Sequence, residues 1–279
     1  MLKAKIYDLA LFENFLGIIN KFVQQCEFVL DTNKLNVYCK NPTAFSSARL
    51  LLDTDVIKLN SNQKYQNIKL CIRDVMAFKS AISIIQQIEN INEIEIGLND
   101  IEDEGNVYIK NIKYKGKNGA NFNLITIDFD VIKEFVSKET TTKLVKNWKF
   151  NINPRNLDIA QNKTNNIVNI NEVSVYIYPD SKNGRAVISL ANKASAALNS
   201  ISIPISDSSE GSLEGFNQPA VCIHESSFRI FNILRVSNPN DIECFFNFDN
   251  NVFFITSHLK SESQYSINSR LFVQMVKGK

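Results

Sequence analysis

Four times along this 279-residue chain the hydrophobic pattern runs the same course. A helix of about four turns precedes three strands, with restarts near Asp8, Asp74, Pro154 and Glu225. One helix over a small antiparallel sheet cannot bury its own apolar face, so several copies must join edge to edge and share a core. The expected class is α+β, and the expected product of the tiling is a curved shell.

The first unit reads as a strand over 2–6 and a helix from Asp8, its N-cap, to about residue 24, with Leu9, Phe12, Leu16, Ile19 and Val23 on one face. Three strands follow at 26–30, 35–40 and 46–52. The second unit opens with a strand over 67–72, and Asp74 caps a helix to Glu89 whose apolar face is Val75, Phe78, Ile82, Ile85 and Ile88. Strands over 93–98, 107–115 and 121–128 complete it. The acidic stretch 99–105 lacks the ligand alternation of a calcium loop and reads as a solvated hairpin.

From 129 to 146 the pattern is irregular, with three successive threonines and mixed charge, as in an exposed connector. Three segments are therefore expected: a domain over 1–128, a connector over 129–146 and a second domain over 147–279. The third unit has a strand at 148–152, an Asn-rich helix from Pro154 to about 168, and strands at 172–178, 185–190 and 200–205. A Ser- and Gly-containing loop over 206–218 precedes the last unit. There a strand at 220–223, a helix from about 225 to 236, and strands at 241–248, 252–259 and 265–275 are expected.

Composition excludes several classes. The formal net charge is +2, so bulk charge does not mark a nucleic-acid binder, and any such contact must come from uneven placement. The five cysteines are scattered in apolar stretches without a CxxC pair and read as reduced core residues. No stretch has the length of a membrane span, and an intracellular location is expected. His224 and His258 have no nearby nucleophile or metal-ligand partner, and Asp53, Asp55, Asp128 and Asp130 read as edge or turn residues. The nine glycines form no phosphate-binding loop, so neither an enzyme nor a cofactor is expected.

The element order, and above all the opening MLKAKIYDLALFENFLGIINKFVQQCEFVLDTNKLNVYCKNPTAFSSARLLL together with FNLITIDFD, resembles the DNA sliding clamps similar to proliferating cell nuclear antigen and the phage-type clamps. The resemblance spans nearly the whole chain. It implies a DNA-clamp fold of two similar domains, each of two helix-plus-sheet units, with the helices on one concave face. It also implies a homotrimeric ring encircling duplex DNA without reading its sequence, with DNA polymerase and a clamp loader as partners. The cytoplasm of a prokaryotic host, or a eukaryotic nucleus, follows as its location.

The same resemblance places Lys21, Lys79, Arg155, Lys163, Arg229 and Arg235 on the helices facing the hole, with Asn14, Gln86, Asn162 and Asn166 as hydrated neighbours. These lysines and arginines read equally as solvated surface charges. Matching positions for a partner-binding pocket are Ala44, Phe45, Phe129, Phe272 and Val273, whose aromatics read equally as core. Subunit-joining edges fall at 107–115 and 185–190. The alternative is a viral-type, non-ring processivity factor that binds DNA through a basic face, a design the near-neutral charge opposes.

Overall fold

The computed structural model describes residues 2–31, 33–42, 47–60, 68–103, 106–117, 119–126, 148–152, 173–180, 185–192, 203–204, 206–210, 222–224, 242–247, 252–260 and 264–274. The chain divides into two compact units. The first holds Met1–Cys39, Leu50–Thr140 and His258–Asn268, and the second Lys40–Arg49, Thr141–Ser257 and Ser269–Lys279.

The N-terminal part runs β1 (Leu2–Ile6), α1 (Leu9–Phe22), β2 (Cys26–Leu30), β3 (Leu35–Pro42), β4 (Ser47–Thr54) and β5 (Ile57–Leu59). It then restarts with β6 (Ile68–Ile72), α2 (Val75–Glu89), β7 (Ile94–Asp103), β8 (Asn106–Lys115) and β9 (Asn121–Thr126). Each helix starts where an extended aspartate presents its carboxylate to the free N–H groups of the first turn. The amide of Leu11 donates to Asp8 Oδ1 at 2.9 Å and that of Ala77 to Asp74 Oδ1 at 2.8 Å. α2 stops at Asn90, whose φ of 47° lies in the left-handed region that breaks the helix.

The two halves of this unit are related by an approximate two-fold. β1 pairs antiparallel with β7, from Leu2↔Leu98 to Ile6↔Ile94, and β6 pairs antiparallel with β2, from Ile68↔Leu30 to Ile72↔Cys26. The first amide of each helix bonds to the loop before the other half's second strand, Leu9 N to Asn92 O at 2.8 Å and Val75 N to Gln24 O at 3.0 Å. Both helices lie on one side of the strands. Phe12 meets Phe78 edge-on at 5.8 Å, Phe15 meets Phe28 at 6.1 Å, and all four rings are buried, as are Ile6, Leu9 and Leu16. Each such ring contributes about 1.5–3 kcal/mol by leaving water.

Residues 264–268 return from the far end of the chain to this unit. Ser266 N–H donates to Asp55 Oδ1 at 2.7 Å, the Thr54 hydroxyl donates to Ser266 O at 2.8 Å, and Asn268 Nδ2 donates to Asp53 Oδ1 at 2.7 Å. Tyr265 stacks on Tyr7 at 5.3 Å, with the Lys58 ammonium 5.7 Å from each ring centroid.

The second unit repeats the pairing scheme of the first. Its strands are β10 (Trp148–Ile152), β11 (Val173–Asp180), β12 (Arg185–Asn192), β13 (Ile203–Pro204), β14 (Ser206–Glu210), β15 (Cys222–His224), β16 (Ile242–Asn247) and β17 (Val252–Lys260), followed by β18 (Ser266–Gln274). β10 pairs with β14 and β16 as β1 pairs with β5 and β7, and β11 pairs with β12 and β15 as β2 pairs with β3 and β6. The expected helices at 154–168 and 225–236, the connector at 129–146 and Asn162, Asn166, Asp128 and Asp130 lie outside the described residues.

Several sequence expectations change. A strand was expected neither at β5 nor at β14, where a loop was read over 206–218. β5 has three residues and β14 is the polar string SDSSE, so both are held by pairing onto a first strand rather than by an apolar pattern. The acidic stretch at 99–105 is the hairpin expected, but its strands run further: β7 reaches Asp103 and pairs Asp103 with Asn106, absorbing a register shift between Asn99 and Asp100. Neither expected joining edge is an edge. β8 lies between β7 and β9, and β12 between β11 and β13.

Candidate nucleic-acid interface

The site is built on the outward faces of α1 and α2, which run side by side. Their buried faces are fixed by the 3.6-residue period, so the polar residues are forced outward together. Asn14, Lys21, Ser80 and Gln87 are exposed, while Glu13, Asn20, Ser83 and Gln86 are half-buried. Two contacts knit the seam. Lys79 Nζ lies 3.2 Å from Glu13 Oε1, and Asn20 Nδ2 donates to Met76 Sδ at 3.4 Å. At Gly17 a Cβ would meet Lys79 Cε at an ordinary contact distance of 3.5 Å, so the helices are close here without needing glycine.

The ionisable residues of the two helices are Glu13, Lys21, Lys79 and Glu89, two of each sign. Glu13 offsets Lys79, and Glu89 turns to the β8–β9 turn, where its Oε2 accepts the Lys117 amide at 3.3 Å. Lys21 stands exposed in the last turn of α1, where a cation also favours the helix dipole. The face is thus hydrated and close to neutral. The far side of the sheet carries paired charges instead, Lys3 with Glu95 at 2.6 Å and Lys5 with Glu93 at 2.9 Å. The hydrogen bond from Lys3 holds the Glu95 carboxyl below its ordinary range.

Of the six cations expected to line a DNA channel, Lys21 and Lys79 fall on this face, and Arg155, Lys163, Arg229 and Arg235 lie outside the described residues. Ala44, Phe45 and Phe129 of the expected partner pocket lie outside them too. Phe272 and Val273 fall in β18, and only their backbone is described.

A second surface escaped the sequence reading. Ile88 was expected on the buried face of α2 but is 64% exposed, and Ile84 is 49% exposed. With Ala77 and Ala81 they form a second apolar stripe at spacings of four, three and four. At about 100° per residue this stripe falls on the flank opposite Lys79, away from α1. The same end of α2 abuts the β8–β9 turn, where a Cβ on Gly116 would lie 2.5 Å from Glu89 Oε1. β9 itself pairs with β8 along one edge. The signal was present as a repeat of small and branched residues that a single hydrophobic face cannot accommodate.

Among the described residues no group of three or more His, Cys, Asp and Glu is placed to hold a metal ion. No described helix is long and apolar enough to cross a membrane.

The arrangement is that of the DNA-clamp fold: two helices over strands in the first unit, and a second unit whose strands repeat the same pairing scheme. The chain has the fold of proliferating cell nuclear antigen (PCNA). It superposes on PCNA of Entamoeba histolytica with a TM-score of 0.65 and 12% identity, covering 99% of this chain and 98% of that one. Against a structure of the PCNA2–PCNA3 complex from Sulfolobus tokodaii the TM-score is 0.62 at 11% identity, covering 98% of each chain. No protein-family model and no curated protein matches the sequence.

Proposed function

We propose that this protein is a DNA polymerase sliding clamp, a processivity factor that closes as a homotrimer around duplex DNA and tethers polymerase and other replication proteins to it. The observation that carries the reading is the full-length clamp fold built from a pairing scheme used twice. The activity is mechanical and non-enzymatic. Lys21, Lys79, Arg155, Lys163, Arg229 and Arg235 line the channel, and a hydrated, weakly charged wall lets the duplex slide. Ala44, Phe45, Phe129, Phe272 and Val273 form the pocket for a partner's hydrophobic motif, beside a connector at 129–146 that separates domains at 1–128 and 147–279. A clamp loader opens the ring, which works wherever the genome is copied, in prokaryotic cytoplasm or a eukaryotic nucleus.

Internal equivalence supports one choice of joining edge. In the first unit β4 is completed by β18, and β18 stands beside β17 as β9 stands beside β8. β9 is therefore the outer strand that takes a neighbour, and β13, the end strand of the four-stranded sheet, is its counterpart on the next copy. Ile84 and Ile88 on the adjoining flank of α2 add apolar area to that contact. Light scattering at micromolar concentration should give about three times the chain mass of 31.7 kDa, and Ile84→Glu with Ile88→Glu should reduce it to one. A wild-type monomer that binds short linear duplex tightly at physiological salt would overturn the reading in favour of a non-ring factor.

A further inference from the structure

One cation of the outward helix face already has a carboxylate beside it. Lys79 and Glu13 come from different helices, 3.2 Å apart at the outward seam, with their side chains about a third and a quarter exposed. An ammonium already satisfied by a carboxylate has little to gain from a passing phosphate, because contact with DNA would require the internal pair to break. Asn20 and Met76 hold the pair in place, since their contact ties the two helices together beside it. Lys21, in the last turn of α1, has no such neighbour among the described residues and stays available.

We propose that Glu13 is a positioning residue that masks Lys79 and so keeps the duplex from being gripped. The inference rests on the reading that the helix face meets DNA. Phosphates and Glu13 are rival ligands for one cation, and the outcome sets how much friction the wall offers. Removing the carboxylate turns a neutral seam into a phosphate-binding position in every protomer.

The test is fluorescence anisotropy of a labelled 40-base-pair linear duplex with the assembled full-length protein, at salt concentrations from 50 to 200 mM. Glu13→Gln keeps the side-chain shape and should add about 0.9 to the log–log salt slope per freed lysine, which is roughly a threefold larger affinity change across that fourfold salt range. The double variant Glu13→Gln with Lys79→Gln should lose the gain. Far-UV circular dichroism and light scattering confirm that each variant folds and assembles. If Lys21→Gln weakens binding while Glu13→Gln leaves affinity and slope unchanged, masking is overturned and the clamp reading survives. If neither substitution alters binding, the helix face does not meet DNA, and both ideas fall.

Discussion

Asp8 and Asp74 make the same cap in unequal surroundings, and that difference sets a quantitative test of how the helix face is held. Asp8 is 7% exposed, whereas Asp74 is open to solvent. Replacing an N-cap aspartate by alanine costs about 0.5–2 kcal/mol, and the lost charge at the positive end of the helix adds about 0.3–1 kcal/mol. At Asp74 water takes over the Ala77 amide, so Asp74→Ala should cost about 1 kcal/mol. At Asp8 the Leu11 amide is left dry, and the total for Asp8→Ala should approach about 3 kcal/mol. Hydrogen exchange over 9–22 and 75–89 reads each helix separately, which avoids assuming that a two-unit protein unfolds in one step. Exchange should quicken on the order of a hundredfold in α1 for Asp8→Ala and about fivefold in α2 for Asp74→Ala, with Asp8→Asn close to wild type. Equal acceleration in the two helices, or an Asp8→Asn as damaging as Asp8→Ala, would refute the argument from burial.

Gly17→Ala should stabilise the protein by about 0.5–1 kcal/mol, because the new methyl group meets Lys79 Cε at ordinary contact distance and the helix loses a flexible residue; a lowered melting temperature would contradict this. Asp55→Ala removes the carboxylate that accepts the Ser266 amide and should cost about 1.5–3 kcal/mol, with faster exchange confined to residues 264–268 and their neighbours on β4. Stability should fall as pH rises from about 8.5 towards 11. Burial pushes the Cys71 thiol up to about 11 and the Cys26 thiol well above its ordinary value, so the unfolded chain ionises first and is favoured. Below about 8.5 that contribution is complete, and urea midpoints of Cys71→Ala should show a shallower alkaline decline than wild type.

Where local chemistry decides structure, the sequence was readable to the residue. Asp8 and Asp74 cap the helices they were assigned, β1 and β2 have their expected bounds, and Cys26, Cys39 and Cys71 are buried free thiols. Where distant pairing decides, it was not. SDSSE becomes β14 because β10 lies beside it, and β8, expected as an edge, is flanked by β7 and β9. Ile88 was expected on the buried face and points outward, because at about 100° per residue it falls in line with Ile84 rather than with Val75 and Ile82. Val23, expected on the face of α1, sits at its C-cap with an extended backbone and is half-buried. Lys79 could be assigned to its helix by period alone, but the partner that occupies it is 66 positions away, beyond any local pattern. Asp53 and Asp55 read as turn residues, and their role is to receive a segment more than 200 residues further on.

That last connection has a consequence for biosynthesis. Asp55 and Ser266 are separated by 211 positions, so at about 5–20 residues per second a ribosome needs roughly 10–40 s to deliver the strand that finishes the leading half. During that interval β4 offers bare backbone groups to any passing nascent chain, including another translated from the same message. Expression yield should therefore respond to elongation speed and to chaperones that shield extended segments, independently of how stable the finished protein is.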